Sequence, residues 1–84
     1  MYLARVYVTL KPTVNDPQGE TILGGLRQLG FDTAQSVRAG KYLEVRLDED
    51  NEDEAARKVG EMCDRLLANP VIEAYRFELE RAGG

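Results

Sequence analysis

The sequence contains no histidine and no tryptophan, and its only cysteine is Cys63. Histidine is the commonest general base in enzymes and a common transition-metal ligand, so the chain lacks the usual group for both tasks. A single cysteine excludes a disulfide within one chain and a cysteine-based zinc site. Its apolar sequence neighbours predict a buried, structural thiol. We therefore expect no catalytic residue, no metal and no cofactor in this chain.

Long apolar runs are also missing from the sequence. No stretch approaches the roughly 18–20 residues of a membrane-spanning helix. The first residues lack the basic start and apolar stretch of a secretory signal peptide. These features predict a soluble, cytoplasmic protein without a membrane partner.

Basic residues are outnumbered by acidic ones. The chain has 11 Lys and Arg against 15 Asp and Glu, which gives a net charge of −4. A nucleic-acid-binding protein normally concentrates basic residues on one face, because phosphate contacts dominate its affinity. The scattered basic residues therefore predict no nucleic-acid partner.

The length of 84 residues fits one domain spanning residues 1–84. A domain of this size has an adequate but modest core. Small domains with modest cores often gain stability by self-association, so an oligomer is a reasonable expectation.

Two segments have the apolar spacing of amphipathic helices. Asp16 is expected to cap the first helix, with Pro17 in its first turn and Gly30 at its end. The acidic run 48–54 precedes the second helix; it suits a helix N-terminus better than a metal or cationic-ligand site. The second helix is expected to be capped by Asp50 or Asn51 and to end at Asn69-Pro70. The two apolar stripes consist of Ile22, Leu23, Leu26 and Leu29, and of Ala55, Ala56, Val59, Met62, Cys63, Leu66 and Leu67.

Four segments are predicted to be strands. Residues 2–11 and 71–80 alternate between apolar and polar side chains, as half-buried strands do. Residues 34–39 and 41–47 are predicted to form a hairpin that turns near Gly40. The order β-α-β-β-α-β predicts an α+β, ferredoxin-like fold: a four-stranded antiparallel sheet with both helices on one face.

The open face of such a sheet mixes tyrosine, arginine and a few opposed charges. This composition is closer to that of a protein interface than to that of a plain solvated surface. By parity the face would carry Arg5, Tyr7, Thr9, Tyr42, Glu44, Arg46, Arg76 and Glu78.

Two local features allow more than one interpretation. Arg38, Lys41 and Arg46 beside Tyr42 could contact an anion, although ordinary surface charge paired with Glu44 is favoured. The adjacent glycines at positions 24 and 25 are either a tolerated weakness in the first helix or a place of close backbone packing. Neither the Walker pattern nor the GxGxxG fingerprint is present, so the sequence does not predict nucleotide binding.

Three blocks of the sequence resemble the PurS subunit family, the small subunits of phosphoribosylformylglycinamidine synthase. The blocks are Asp-Pro-Gln-Gly at 16–19, Val-Arg-Ala-Gly-Lys-Tyr-Leu-Glu at 37–44, and the run from Met62 to Arg76. The resemblance covers nearly the whole chain in order and in length. The second and third blocks together are quite specific, whereas Asp-Pro-Gln-Gly alone is weak.

The resemblance implies a role in purine synthesis. The enzyme of that family makes formylglycinamidine ribonucleotide from formylglycinamide ribonucleotide, ATP and glutamine. The resemblance implies a non-catalytic adaptor, a homodimer or tetramer, that docks between a glutaminase subunit and a large synthetase subunit and supports ammonia transfer. We expect the subunit contacts to include Arg5, Tyr7, Arg38, Lys41 and Tyr42. The alternative is a regulatory module that binds a small ligand between paired ferredoxin-like domains.

Overall fold

A computed structural model describes residues 1–83 of the chain. Within those residues the strands are β1 (Tyr2–Leu10), β2 (Gly40–Leu47) and β3 (Glu73–Arg81). The helices are α1 (Pro17–Gln28) and α2 (Glu52–Met62), and α2 continues directly into a π-helical turn, Cys63–Leu67. The structure is therefore a small α+β fold, as predicted.

β1 is the central strand and pairs antiparallel with β2 on one side and β3 on the other. Val6 of β1 lies opposite Leu43 of β2 and Phe77 of β3. The alternation of the sequence is reproduced, because Ala4, Val6 and Val8 are buried on one face of the sheet. We call this the inner face and the opposite one the outer face.

α2 packs on the inner face against β1 and β3. Its Val59, together with Cys63 at the start of the π-helical turn, is fully buried in the core with Val6 and Val8. Asn51 is the N-cap, since its side chain accepts a hydrogen bond of 3.0 Å from the backbone N–H of Glu54. The acidic run thus leads into the positive end of a helix, where negative charge is favourable.

The prediction of a fourth strand is wrong. Within residues 1–83 the sheet has three strands, and residues 34–39 form neither a strand nor half of a hairpin. The end of this segment is attached to the start of α1 instead. The backbone N–H of Ala39 donates to the Asp16 carboxylate, and the Arg38 side chain donates to two carbonyl groups of the loop before α1.

The predicted position of α1 is also wrong. We expected both helices on the sheet, but within the described chain α1 makes at most slight contact with the strands. A strand of nine residues is about 30 Å long and a helix of 12 residues about 18 Å. Their sum matches the longest dimension of the molecule, 49 Å. α1 therefore projects beyond the end of the sheet.

The chain is extended for its size. Its radius of gyration is 16.4 Å, whereas a compact domain of this length has a radius of about 12 Å. α1 and the segment that returns from it to β2, residues 17–39, form the projecting part. We call residues 17–39 the arm.

Candidate interaction surfaces

Three of the five residues predicted to contact other subunits lie together on the outer face. Arg5 and Tyr7 alternate along β1, and Tyr42 of β2 lies directly opposite Tyr7. The Tyr7 and Tyr42 ring centroids are 5.2 Å apart and tilted by 44°. On the other side of Tyr7, the Arg76 guanidinium carbon lies 3.9 Å from the centre of its ring. We call Arg5, Tyr7, Tyr42 and Arg76 the outer cluster.

Acidic side chains hold the outer cluster in place. Arg5 forms an ion pair with Glu80, and Arg76 forms one with Glu78 at 3.0 Å. The Tyr42 hydroxyl donates a hydrogen bond of 2.9 Å to Glu44. Each of these three side chains therefore has an acidic partner on the same face of the sheet.

The charge states of the cluster follow from these neighbours. The hydrogen bond and the negative charge of Glu80 raise the pKa of Arg5, so the guanidinium is charged at every physiological pH. Desolvation, and then the hydrogen bond to Glu44, raises the pKa of Tyr42. Tyr42 is therefore a neutral donor, and the outer cluster combines aromatic surface, positive charge and a phenol.

The other two predicted residues lie elsewhere. The Arg38 side chain donates to the carbonyl oxygens of Lys11 and Val14, at 3.0 and 2.8 Å, and so ties the arm to the loop that precedes it. Lys41 pairs in register with Val8, which places it on the inner face. Consecutive strand residues point to opposite faces, so Lys41 and its neighbour Tyr42 cannot belong to one surface.

A buried contact at the base of the arm was missed by the sequence analysis. Asp16 caps α1 by accepting from the backbone N–H of Gly19 at 3.0 Å, as predicted. Its second oxygen accepts from the backbone N–H of Ala39 at 2.7 Å. A Cβ at Gly19 would overlap the carbonyl oxygen of Val37. We call Asp16, Gly19, Val37, Arg38 and Ala39 the clasp.

The clasp lowers the pKa of Asp16. The backbone N–H groups of Gly19 and Ala39 stabilise the carboxylate, and they outweigh desolvation, which acts in the opposite direction. The only sequence signals for the clasp were the Asp-Pro-Gln-Gly block and the Ala-Gly pair. They indicate a contact only if it is already known that residues 16 and 39 meet.

Cys63 is fully buried, as the sequence predicted. Burial, and then the negative charge of Asp64, raises the pKa of its thiol. Both effects disfavour the reactive thiolate.

No group of three or more Cys, Asp or Glu side chains in residues 1–83 is arranged to hold a metal ion. No helix in this range has both the length and the apolarity needed to cross a membrane.

The sequence matches the family model PurS, phosphoribosylformylglycinamidine (FGAM) synthase, over residues 3–81. The phosphoribosylformylglycinamidine synthase subunit PurS of Synechocystis sp. is 48% identical over 83 residues, covering 99% of this chain and 83% of that protein. A structure of PurS from Methanocaldococcus jannaschii, one of the subunits of formylglycinamide ribonucleotide amidotransferase, is 40% identical and has a TM-score of 0.88. It covers 99% of this chain and 100% of its own.

A third likeness is to a chain in the structure of PurLQS from Thermotoga maritima. That chain is 30% identical, with a TM-score of 0.84, over 95% of this chain and 99% of its own. The family model and these relatives span nearly the whole sequence. The chain therefore belongs to the PurS family of phosphoribosylformylglycinamidine synthase.

Proposed function

We propose that this chain is the non-catalytic small subunit of phosphoribosylformylglycinamidine synthase in de novo purine (IMP) biosynthesis in the cytoplasm. It bridges the glutaminase subunit and the ATP-dependent synthetase subunit, acts as a homodimer, and supports ammonia transfer between them. The observation that carries the proposal is the likeness to the Thermotoga maritima chain, whose structure is that of PurLQS.

The chemistry of the chain supports a binding role. The sequence has no histidine, and its single thiol is buried with a raised pKa. Two ion pairs, Arg5–Glu80 and Arg76–Glu78, lie on the outer face. Paired charges on an open sheet suit recognition of a protein surface better than proton transfer.

The outer cluster is the surface we assign to a partner subunit. Tyrosine and arginine are the residues most enriched at energetic centres of interfaces. Tyr42 is 49% exposed, so a partner can still bury much of its ring. Arg76 covers Tyr7 and is itself largely exposed.

Reconstitution tests the adaptor role. Glutamine-dependent synthesis of formylglycinamidine ribonucleotide is measured for the glutaminase and synthetase subunits with and without this chain. Ammonia replaces glutamine as the control. We expect the chain to restore the glutamine reaction while ammonia-driven synthesis proceeds without it. Equal glutamine-dependent turnover in its absence would remove the adaptor role and favour the ligand-binding alternative.

Two neighbouring substitutions distinguish a partner contact on the outer face from one on the inner face. Tyr42→Ala removes a ring from the outer cluster, and Lys41→Glu reverses a charge on the inner face. We expect Tyr42→Ala to raise the concentration of this chain that gives half-maximal glutamine-dependent activity by about tenfold. A rise with Lys41→Glu as well would place part of the partner contact on the inner face. Ammonia-dependent turnover is expected to stay constant. Unchanged assembly with Lys41→Glu would restrict the partner contact to the outer face.

A further inference from the structure

The residues between α2 and β3 carry the most exposed large apolar side chains of residues 1–83. Leu66 is 82% exposed and Val71 is 77% exposed. Leu66 lies in the π-helical turn, and Val71 lies in the short connection from that turn to β3. The backbone N–H of Lys11 donates to the carbonyl oxygen of Ile72 at 2.9 Å, so this connection lies at the end of the sheet from which the arm leaves. We call Leu66 and Val71 the junction pair.

The π-helical turn is the reason that Leu66 is exposed. Leu66 continues the apolar stripe of α2 in the sequence, and a regular α-helix would keep it on the same side as Val59. The backbone N–H of Ala68 instead donates to the carbonyl oxygen of Cys63 at 3.0 Å. This bond fits one extra residue into the turn, so Leu66 faces solvent while Leu67 packs against the core. The expectation that Leu66 is buried is therefore wrong, because it assumed an unbroken α-helix.

Hydrogen bonds hold Val71 in an ordered turn. The carbonyl oxygen of Asn69 accepts from the backbone N–H groups of Ile72 and Glu73, at 3.1 and 2.7 Å. The Asn69 side chain accepts from the backbone N–H of Val71 at 3.1 Å. The Glu73 carboxylate accepts from the backbone N–H of Asn69 at 2.6 Å. Covering Val71 therefore requires little further ordering of the backbone, which keeps the entropy cost of binding low.

The junction pair and the outer cluster belong to different layers of the molecule. The outer cluster lies on the face of the sheet that carries Tyr7, whereas Leu66 belongs to the helical layer on the inner face. A rigid subunit that bridges two others needs two separate contact surfaces. The outer cluster supplies only one of them.

Polar groups beside Leu66 are engaged within the chain. Arg65 pairs with Glu61 at 3.0 Å, and the Tyr75 hydroxyl donates to the Asp64 carboxylate at 2.9 Å. The surface around Leu66 is therefore apolar at its centre and polar at its edge, as protein interfaces are. An apolar hollow with a polar rim is the partner surface that complements it.

The size of the junction pair decides between a second copy of this chain and a different subunit. Two aliphatic side chains offer on the order of 200 Å² of apolar surface, whereas a stable contact buries about 800 Å² on each partner. The pair alone is thus too small to hold two free copies together. A small contact is sufficient for a chain that another surface already holds in a complex, because tethering raises the effective concentration.

We propose that the junction pair is the contact for the second of the two partner subunits. Leu66 and Val71 enter an apolar hollow on one of the glutaminase and synthetase subunits, and the outer cluster binds the other. The inference rests on the proposed bridging function and adds the surface that bridging requires. It assigns no part of the homodimer contact to the junction pair.

Photocrosslinking in the reconstituted complex tests which subunit each surface meets. Leu66→Cys and Thr9→Cys carry the same photoreactive maleimide label; Thr9 pairs with Gly40 and lies on the outer face. Cys63 is fully buried, so the introduced thiol reacts first, and the wild type treated in the same way is the control. We expect position 66 to link to one partner subunit and position 9 to the other. Links from both positions to one subunit, or no link from position 66, would overturn the proposal.

A matched pair of substitutions on one helical turn measures the contribution of Leu66. Leu66→Gln makes the junction pair polar, and Arg65→Gln places the same residue at the adjacent position. Both side chains are largely exposed, so both variants are expected to keep the wild-type circular dichroism spectrum. We expect Leu66→Gln to raise the concentration of this chain that gives half-maximal glutamine-dependent activity by about tenfold, and Arg65→Gln by less than about twofold. Equal effects of the two variants would contradict the assignment.

Sedimentation equilibrium of this chain alone tests the competing occupant, a second copy. Leu66→Gln is expected to self-associate as the wild type does. A weakened homodimer, or a link from position 66 to a second copy, would assign Leu66 to the contact between copies and end the proposal. Failure of the proposed function gives a different result: the wild-type chain then restores no glutamine-dependent synthesis and links to neither subunit. In that case the inference falls with it.

Discussion

Asp16 and Ala39 meet across 23 residues of chain, through a hydrogen bond of 2.7 Å from the backbone N–H of Ala39 to the Asp16 carboxylate. Asp16 is only 3% exposed, and its other oxygen caps α1. One side chain thus starts the helix and holds the end of the segment that returns from it. The direction of the arm is set by this contact.

Replacing Asp16 by Asn is expected to destabilise the protein. The amide keeps one acceptor but places an NH2 donor against the N–H of either Gly19 or Ala39, which leaves a buried donor without a partner. We expect the midpoint of thermal unfolding to fall by several degrees. Asp32→Asn, the same change at an exposed position of the arm, is the control and should leave the midpoint within about one degree. Equal effects of the two substitutions would contradict the role of the clasp.

The Asp16 contribution is expected to depend on pH. Its pKa in the folded chain lies below the ordinary value of about 3.9, because two backbone N–H groups stabilise the charged form. A folded-state pKa below the unfolded one gives stability that is complete above the unfolded value and lost as pH falls through the folded value.

The measurement is the difference in melting temperature between the wild type and Asp16→Asn from pH 6 to pH 2.5. That difference should be constant near pH 6 and shrink below about pH 4.5. Glu54, whose pKa is lowered by Arg57, is present in both proteins and cancels. A difference that does not change with pH would mean that Asp16 does not act as a charged acceptor.

Two glycines of α1 should respond in opposite directions to substitution by alanine. At Gly19 an added Cβ would overlap the Val37 carbonyl oxygen and lie 2.8 Å from the Asp16 carboxylate, so the clasp must open. At Gly24 an added Cβ meets nothing within 4 Å. We expect Gly19→Ala to lower the free energy of unfolding by about 1–3 kcal/mol and Gly24→Ala to raise it by about 1 kcal/mol.

Urea denaturation of both variants checks these signs. If Gly24→Ala were destabilising, close packing against this glycine, the second of the two interpretations drawn from the sequence, would be favoured. If Gly19→Ala were neutral, the arm would not be held against residue 37.

The three observed strands were predictable because their information is local. Alternation with a period of two placed Val6 inside and Tyr7 outside, and it placed Tyr42 on the same face as Tyr7. The same period shows that Lys41 and Tyr42 cannot share a face, a consequence that the predicted basic group at residues 38–46 overlooked. The sequence also limited the N-cap of α2 to Asp50 or Asn51, and the structure has Asn51 in that role.

The arm was not predictable from the same signals. An apolar stripe such as that of Ile22 and Leu26 shows that a helix packs against an apolar surface, but it does not show which surface. We assumed that α1 packs on the sheet of its own chain. The position of residues 34–39 is decided by Asp16 and Arg38, whose partners are distant along the chain. No local sequence pattern predicts these contacts of Asp16 and Arg38.

Thiol labelling measures how tightly the core is closed at the point where α2 becomes a π-helical turn. Cys63 is fully buried, and burial raises the pKa of its thiol, so both access and ionisation oppose reaction. We expect a disulfide reagent at pH 8 to label the native protein at least about a hundredfold more slowly than the protein in guanidinium chloride. A Ser36→Cys variant, which adds a thiol at an exposed position of the arm, should gain one rapidly labelled equivalent and retain one slow one. Rapid labelling of both thiols in the native variant would show that the turn opens readily, and Cys63 could then no longer be treated as a purely structural residue.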